Sequence, residues 1–245
     1  MLEKLRKKFR ETVVQKHKFL PGPVGIFVNS SYIIHRGIYR AVAARAEGFH
    51  GDILDFGCGT KPYRSLFNNA RTYVGLELQM DFYDKRSDID AFYDGKTLPF
   101  ADGSFDGVFS TEVMMYVPNI DQVLDEFKRV LRPGGRLLIV TPFTWEEDGP
   151  EDLARYTAAG FALLLRKHGF DNVVTDKTTS SFLASWQHLT MCLVRYLRFG
   201  TPYLFIPSMN LSGLALDRML PKKYDSYCNV VAQASKPIGG ATSKG

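Results

Sequence analysis

Ile53-Leu54-Asp55-Phe56-Gly57-Cys58-Gly59-Thr60 is the stretch whose reading decides the fold. A short apolar run ends in an acid and then breaks into two glycines one residue apart. That is the pattern of a buried strand feeding a tight turn that comes close to a ligand. Glycine adopts positive φ at no steric cost, and without a Cβ its backbone N–H groups can reach the ligand. Such a turn usually opens a helix, whose unpaired N–H groups favour carboxylate or phosphate. A nucleotide-type ligand over the end of this strand is the first expectation. The next apolar run, Tyr73-Val74-Gly75-Leu76, ends in Glu77, 22 residues after Asp55. An acid about twenty residues past a glycine turn is placed to hold a ribose hydroxyl pair. A dinucleotide fingerprint wants a third glycine, and Pro62 stands in its place. This disfavours NAD or FAD and leaves the adenosine reading. No P-loop signature occurs in the chain.

Asp55-Phe56-Gly57-Cys58-Gly59-Thr60 closely resembles the first motif of the Rossmann-like S-adenosylmethionine (SAM) methyltransferases. Asp94-Gly95-Lys96-Thr97-Leu98-Pro99-Phe100 and Ser104-Phe105-Asp106-Gly107-Val108-Phe109 resemble that family's third- and fourth-strand region. Leu131-Arg132-Pro133-Gly134-Gly135-Arg136-Leu137-Leu138-Ile139 resembles its turn into the fifth strand. Several matches in the family's order are more specific than any one alone. Lys61-Pro62-Tyr63 and Asp152-Leu153-Ala154-Arg155-Tyr156-Thr157 resemble a bacterial subgroup associated with glycan and cell-surface biosynthesis. The resemblance implies a doubly wound α/β sheet, mostly parallel with an antiparallel last strand, and SAM as cofactor. It implies that Gly57, Cys58 and Gly59 cradle the amino-acid end of SAM and that Asp55 anchors it. Glu77 would then bind the ribose, Leu78 would pack on the adenine, Asp94 with Gly95 would meet its amino group, and Thr111 would close the far side. For Asp94 the competing reading is a turn aspartate before glycine.

Composition bounds the rest. The chain has 245 residues and 45% apolar content, enough for one real core with an insertion. Three scattered cysteines define neither a disulfide framework nor zinc spacing, and no His/Asp cluster has ligand spacing, so no metal is expected. A reducing, cytoplasmic compartment is the default. Of the 31 Lys and Arg, seven lie in residues 1–20 with two acids, leaving 24 basic and 24 acidic residues elsewhere. A neutral body does not fit a nucleic-acid-binding protein. Leu2, Leu5, Phe9 and Val13 recur at helical spacing among the basic residues. That reads either as a helix on the inner, anionic face of a membrane or as an ordinary solvated helix packed on the domain. The expected organisation is a basic segment at 1–23, a Rossmann-like domain over 24–177, and a helical cap at 178–226. A last strand at 227–235 and a tail at 236–245 complete it.

Along the chain, Tyr32 to Phe49 reads as a helix, on which Arg36, Tyr39 and Arg40 are either solvated or near the SAM carboxylate. Ala91 to Tyr93 and Phe105 to Ser110 read as strands, and Ile120 to Leu131 as an amphipathic helix stopped by Pro133-Gly134-Gly135. Arg136 to Pro142 is the expected fifth strand, Thr157 to His168 a helix, Phe170 to Asp176 the sixth strand and Cys228 to Ala234 the last. About fifty residues between the last two exceed an ordinary loop, hence the cap. In it Phe182, Trp186, Leu189, Leu193 and Leu197 form a helical stripe, expected to pack inward while the cap roofs the site.

SAM is already activated, so the protein must bind it, align an acceptor, exclude water and, for an oxygen acceptor, remove a proton. Related enzymes often carry histidine where Tyr116 stands, so the candidate bases are His188, Glu147 and Asp152. For His188 a helix-surface or satisfied core histidine is the rival reading. The expected acceptor is a small molecule or a lipid- or sugar-linked intermediate, methylated at oxygen before carbon, with peripheral membrane contact through the N-terminal helix and cap. The rivals are a SAM-binding protein without catalysis and a dehydrogenase. The sequence leaves the acceptor and the oligomeric state open.

Overall fold

The computed structural model describes residues 17–79, 88–197 and 202–239. The expected N-terminal helix at Leu2 to Val13 lies outside them. The described chain forms two compact units, divided between Val42 and Ala43 and again near Lys177 and Asn229.

One unit, Ala43–Asp176 with Val230–Gly245, holds the sheet. Its strands are β1 (Gly51–Phe56), β2 (Ala70–Leu78), β3 (Ala91–Tyr93), β4 (Phe105–Thr111), β5 (Leu131–Pro142), β6 (Asp171–Lys177) and β7 (Asn229–Ser235), in the order β3-β2-β1-β4-β5-β7-β6. The pairs β1–β2, β1–β4, β2–β3 and β4–β5 are parallel. The last strand runs the other way: Gly134 N–H donates to Lys236 at 2.9 Å and Lys236 N–H to Gly135 at 2.9 Å, joining the start of β5 to the end of β7. At β7's other edge, Asn172 near the start of β6 bonds Ser235 at the end of β7. The order reverses between β1 and β4, where open α/β sheets take their ligands at the carboxyl ends. Central strands are buried on both faces, as parallel sheets require: Ile53, Leu54, Phe56, Val108, Phe109, Leu137, Leu138 and Ile139 are all inaccessible.

Between the units' numbering runs α2 (Tyr32–Ala46), preceded by α1 (Pro23–Val28). Helix α3 (Ile120–Val130) follows β4, with Asn119 capping its Gln122 N–H at 3.2 Å. It buries Val123, Leu124, Phe127 and Val130. Helix α4 (Ala158–Lys167) is capped by Thr157, which accepts from Gly160 N–H at 3.0 Å, and ends at Gly169. Two expectations are corrected here. The glycine turn after β1 opens no α-helix, only a short 3₁₀ turn at Arg64–Leu66. The residue before a proline avoids the α region, and Lys61, before Pro62, is left-handed at φ 50. Pro133-Gly134-Gly135 does not separate α3 from β5 either. β5 starts at Leu131, and these residues form an irregular opening of the strand that pairs with β7.

The other unit, from the described parts of Met1–Val42 and Lys177–Asn229, is helical. Helices α5 (Ser181–Val194) and α6 (Pro202–Met219) do lie between β6 and β7. Residues 24–42, expected with the cofactor domain, group with this insertion instead: α6 packs on both α1 and α5. Buried amides tie the unit together. Gln187 accepts from Ile33 N–H at 3.1 Å and donates to Ser30 C=O at 2.6 Å. Asn210 donates to the carbonyls of Ile26 and Asn29 at 2.8 and 3.1 Å. The expected inward stripe is only partly buried: Phe182, Trp186 and Leu197 are half-buried. The buried face of α5 is Leu183, Ala184, Gln187 and Thr190, while Leu189 and Leu193 are exposed. Trp186 packs on α6, where its indole N–H donates to Met209 C=O at 2.8 Å and a Cβ on Gly213 would meet its ring at 2.4 Å.

Candidate cofactor site

The site is built at the carboxyl ends of β1, β2, β3 and β4. Asp55, the penultimate residue of β1, sits between Gly75 of β2 and Phe109 of β4. It is buried, and Tyr73 donates its hydroxyl to Asp55 Oδ2 at 2.8 Å. Burial pushes the Asp55 carboxyl up to about 7; the Tyr73 hydrogen bond and the Lys61 charge oppose this, and the Glu77 charge adds to it. Tyr73 was not singled out by the sequence, because its period-two position in β2 also fits ordinary core packing.

The glycine turn is held by β2. Gly57 and Cys58 N–H groups both donate to Leu76 C=O, at 2.9 and 3.2 Å, and Gly59 N–H donates to Glu77 Oε2 at 3.0 Å. Gly57 lies at φ 70, and a Cβ there would come within 2.2 Å of Val113. Gly75 is needed for a different reason: a Cβ on it would strike Lys61 at 2.2 Å and Cys58 Sγ at 2.7 Å. Cys58 is buried, and its thiol is pushed up to about 12, first by burial and then by the Asp55 and Glu77 charges, so it packs rather than reacts.

This geometry corrects the anion-binding expectation. The N–H donors of Gly57, Cys58 and Gly59 are spent on Leu76 and Glu77, and no α-helix opens behind the turn, only the 3₁₀ turn at Arg64–Leu66. Four acids stand at or just after the strand ends: Asp55 and Glu77 as the penultimate residues of β1 and β2, Asp94 just after β3 and Glu112 just after β4. Lys61 is a nearby cation, and it is paired with Asp90. Such a site repels phosphate and suits a cationic ligand.

Glu77 is half-buried and accepts from Gly59 and Leu78 N–H groups, so the acid expected to hold a ribose also fixes the turn. Asp94 is exposed and accepts from Lys96 and Thr97 N–H groups at 2.9 and 3.1 Å, which hold its carboxyl below the usual range. It makes the turn that its rival reading foresaw, and those bonds fix its Oδ1. Leu78 is half-buried and lies against Gly95, where an added Cβ would meet its Cδ1 at 3.3 Å. Thr111 ends β4 beside Val140. Glu112 follows in a left-handed backbone at φ 59, a strained conformation for glutamate, with its N–H given to Val140 C=O.

The proposed bases are dispersed. Both Asp152 carboxylate oxygens bind the Arg155 guanidinium, and Asp148 N–H also donates to it. The Arg155 pairing lowers its proton affinity, which argues for a structural role. Glu147 is exposed in the loop after β5. His188 belongs to the helical unit, where its Nδ1–H donates to Ala184 C=O at 2.7 Å. The sequence missed one arrangement: Tyr116 donates its hydroxyl to Asp148 at 2.8 Å. Burial, and then that bond, raises the phenol well above its ordinary value.

Residues 54–139, the segment carrying the turn, Glu77, Asp94 and Thr111, match a family described as "Methyltransferase domain". A fatty-acid O-methyltransferase of Mycolicibacterium smegmatis is 34% identical over 129 residues, covering 47% of this chain and 47% of that protein. The chain therefore spans about half the length of this relative. Further matching relatives are named as O- and as C-methyltransferases. Among solved structures, the [4+2]-cyclase SpnF is similar at 21% identity and a TM-score of 0.56, covering 84% of this chain and 82% of that one. Phosphoethanolamine N-methyltransferase 2 of Haemonchus contortus, solved with S-adenosyl-L-methionine, is similar at 17% identity and TM-score 0.51, covering 91% and 60%. The fold is that of the Rossmann-like methyltransferases.

Proposed function

We propose that this chain, whose central segment matches a methyltransferase domain, binds SAM at the carboxyl ends of β1, β2 and β3 and transfers its methyl group to an amphiphilic small-molecule or lipid- or sugar-linked acceptor. The observation that carries the reading is the site's electrostatic sign. SAM presents a sulfonium and an ammonium beside one carboxylate, a net positive charge without phosphate, and this site offers carboxylates while the N–H donors of Gly57, Cys58 and Gly59 are already bonded. NAD would bring a pyrophosphate into the same place, with neither a helix N-terminus nor a third glycine to receive it. Glu77 binds the ribose, Leu78 flanks the adenine beside Gly95, Asp94 meets its amino group, Asp55 anchors the amino-acid end and Thr111 closes the far side.

Oxygen is the preferred acceptor atom. An acceptor carboxylate needs no base, and the relative named for fatty acids supports that class. A hydroxyl acceptor needs one: its proton passes to Tyr116 Oη as the Tyr116 proton passes to Asp148. Glu147 is the other proposed acceptor of that proton. Carbon methylation is the runner-up, and a glycan or cell-surface intermediate is an acceptor class that the Lys61-Pro62-Tyr63 and Asp152-to-Thr157 motifs support. The second reading is SAM binding without methyl transfer. It is favoured by one observation, that a protein of this fold is titled a cyclase, since fold does not fix chemistry. Incubation with methyl-labelled SAM and a panel of fatty acids, sterols and lipid-linked sugars tests the choice. Label in a lipid-phase product, absent with Glu77→Ala, supports methyl transfer. Calorimetric SAM binding with no labelled product across the panel transfers the case to the second reading.

A further inference from the structure

We infer that the helical unit of α1, α5 and α6 is a foot that lies on an anionic lipid surface. The inference is independent of the methyl-transfer reading, and its test does not use SAM. Of the 16 large hydrophobic residues exposed in the described chain, 12 belong to this unit. Leu204 and Met219 on α6 are 79% and 80% exposed, Leu211 50%, Phe27 on α1 54% and Leu189 on α5 47%. Concentrated exposure of this kind marks an interaction surface rather than the scattered apolar residues of any protein.

Three serines among them spend their hydroxyl donors within the helix. Ser208 donates to Leu204 C=O at 2.7 Å, Ser212 to Ser208 C=O at 2.5 Å and Ser185 to Ser181 C=O at 3.0 Å. Each hydroxyl is folded back onto its own helix, so these serines direct no donor outward from α5 and α6.

Charge selects the occupant. Residues 1–42 and 177–229 hold 15 of the 31 Lys and Arg and 4 of the 26 acids, which leaves 16 basic and 22 acidic residues in the rest. The helical unit's segments are strongly cationic and the sheet unit's are anionic. Exposed Arg195, Arg218, Lys222 and Lys223 flank the helix ends. A second copy would bring the same positive charge to the same surface. So would the chain's own residues 1–16, with six Lys and Arg against two acids, as a cover for it. An anionic bilayer attracts both, each basic residue near the surface contributing about 1 kcal/mol. No helix among the described residues is long and apolar enough to cross a membrane, so these helices would lie in the interface plane.

The test is co-sedimentation of the full chain with vesicles of equal parts phosphatidylglycerol and phosphatidylcholine, and with phosphatidylcholine alone. The inference predicts binding to the mixed vesicles, weakened by salt, and little to phosphatidylcholine. Leu204→Ser combined with Met219→Ser, at positions already exposed, should leave the thermal transition in place and reduce the vesicle partition coefficient at least about tenfold. Failure to sediment with mixed vesicles would overturn the inference. So would sedimentation that the double substitution does not change. Light scattering that shows a dimer dissociated by the same substitutions would also overturn it, in favour of a second copy.

Discussion

Asp55 is a carboxyl group kept partly protonated at neutral pH, and this has consequences in two directions. Its folded value of about 7 lies above the ordinary carboxylate value of about 4, so between those limits the native state binds more protons than the unfolded chain. Its contribution to stability is therefore fully present below about pH 4 and is lost as pH rises to about 7. The ligand-free protein's melting temperature should carry a downward component over that interval, which Asp55→Asn removes. A bound cation favours the ionised form, so SAM binding should tighten between about pH 6 and 8 with release of a proton. Titration calorimetry in buffers of unlike ionisation enthalpy reads that proton, and a pH-independent affinity would contradict the placement of Asp55. Glu77→Ala should weaken SAM at least ~10-fold, the loss of one or two hydrogen bonds to a charged group. It also frees Gly59 N–H, so Glu77→Gln, which can still accept that bond, separates the turn's support from the ribose contact. Gly57→Ala meets both a left-handed backbone and Val113, and it should cost more than the ~1–2 kcal/mol of the backbone alone. Denaturant unfolding measures it.

At the scale of elements, the strands were the legible part. Ala91 to Tyr93 has the expected bounds, and β1, β2, β4, β6 and β7 differ from their expected spans by a few terminal residues. Continuous apolar runs bounded by glycine or acid leave few alternatives for a strand buried on both faces. Helix α5 was misread for a physical reason. Periodicity finds the most apolar stripe, but the stripe that packs is the one whose polar groups find partners, and here Gln187 and Thr190 face in. Gln187→Ala should cost about 2 kcal/mol by leaving Ile33 N–H buried and unpaired, whereas Leu189→Ala should change stability by less than about 0.5 kcal/mol. Thermal melts of the two variants decide which face is inside. The missing helix after the glycine turn has a local cause at Lys61-Pro62, which was visible in the sequence and outweighed by the usual strand–turn–helix pattern.

Across the whole molecule, the motifs led to the fold and to the acids at Asp55, Glu77 and Asp94, because each stands at the end of its own short apolar run. The partners that tune those acids were not legible. Tyr73 reaches Asp55, and Tyr116 reaches Asp148, only once the chain has folded. The segregation of charge was hidden in the same way. Counted along the chain, the body beyond residue 20 is neutral, yet its basic excess and acidic excess fall in different units, one of them assembled from segments more than a hundred residues apart. The central claim is that the glycine turn serves a cationic nucleoside rather than a phosphate. It is tested most directly by calorimetric titration of the chain with SAM and, side by side, with NAD. The account predicts saturable SAM binding that Glu77→Ala weakens, with no heat from NAD beyond dilution. Saturable binding of NAD, or NAD binding tighter than SAM, would contradict it.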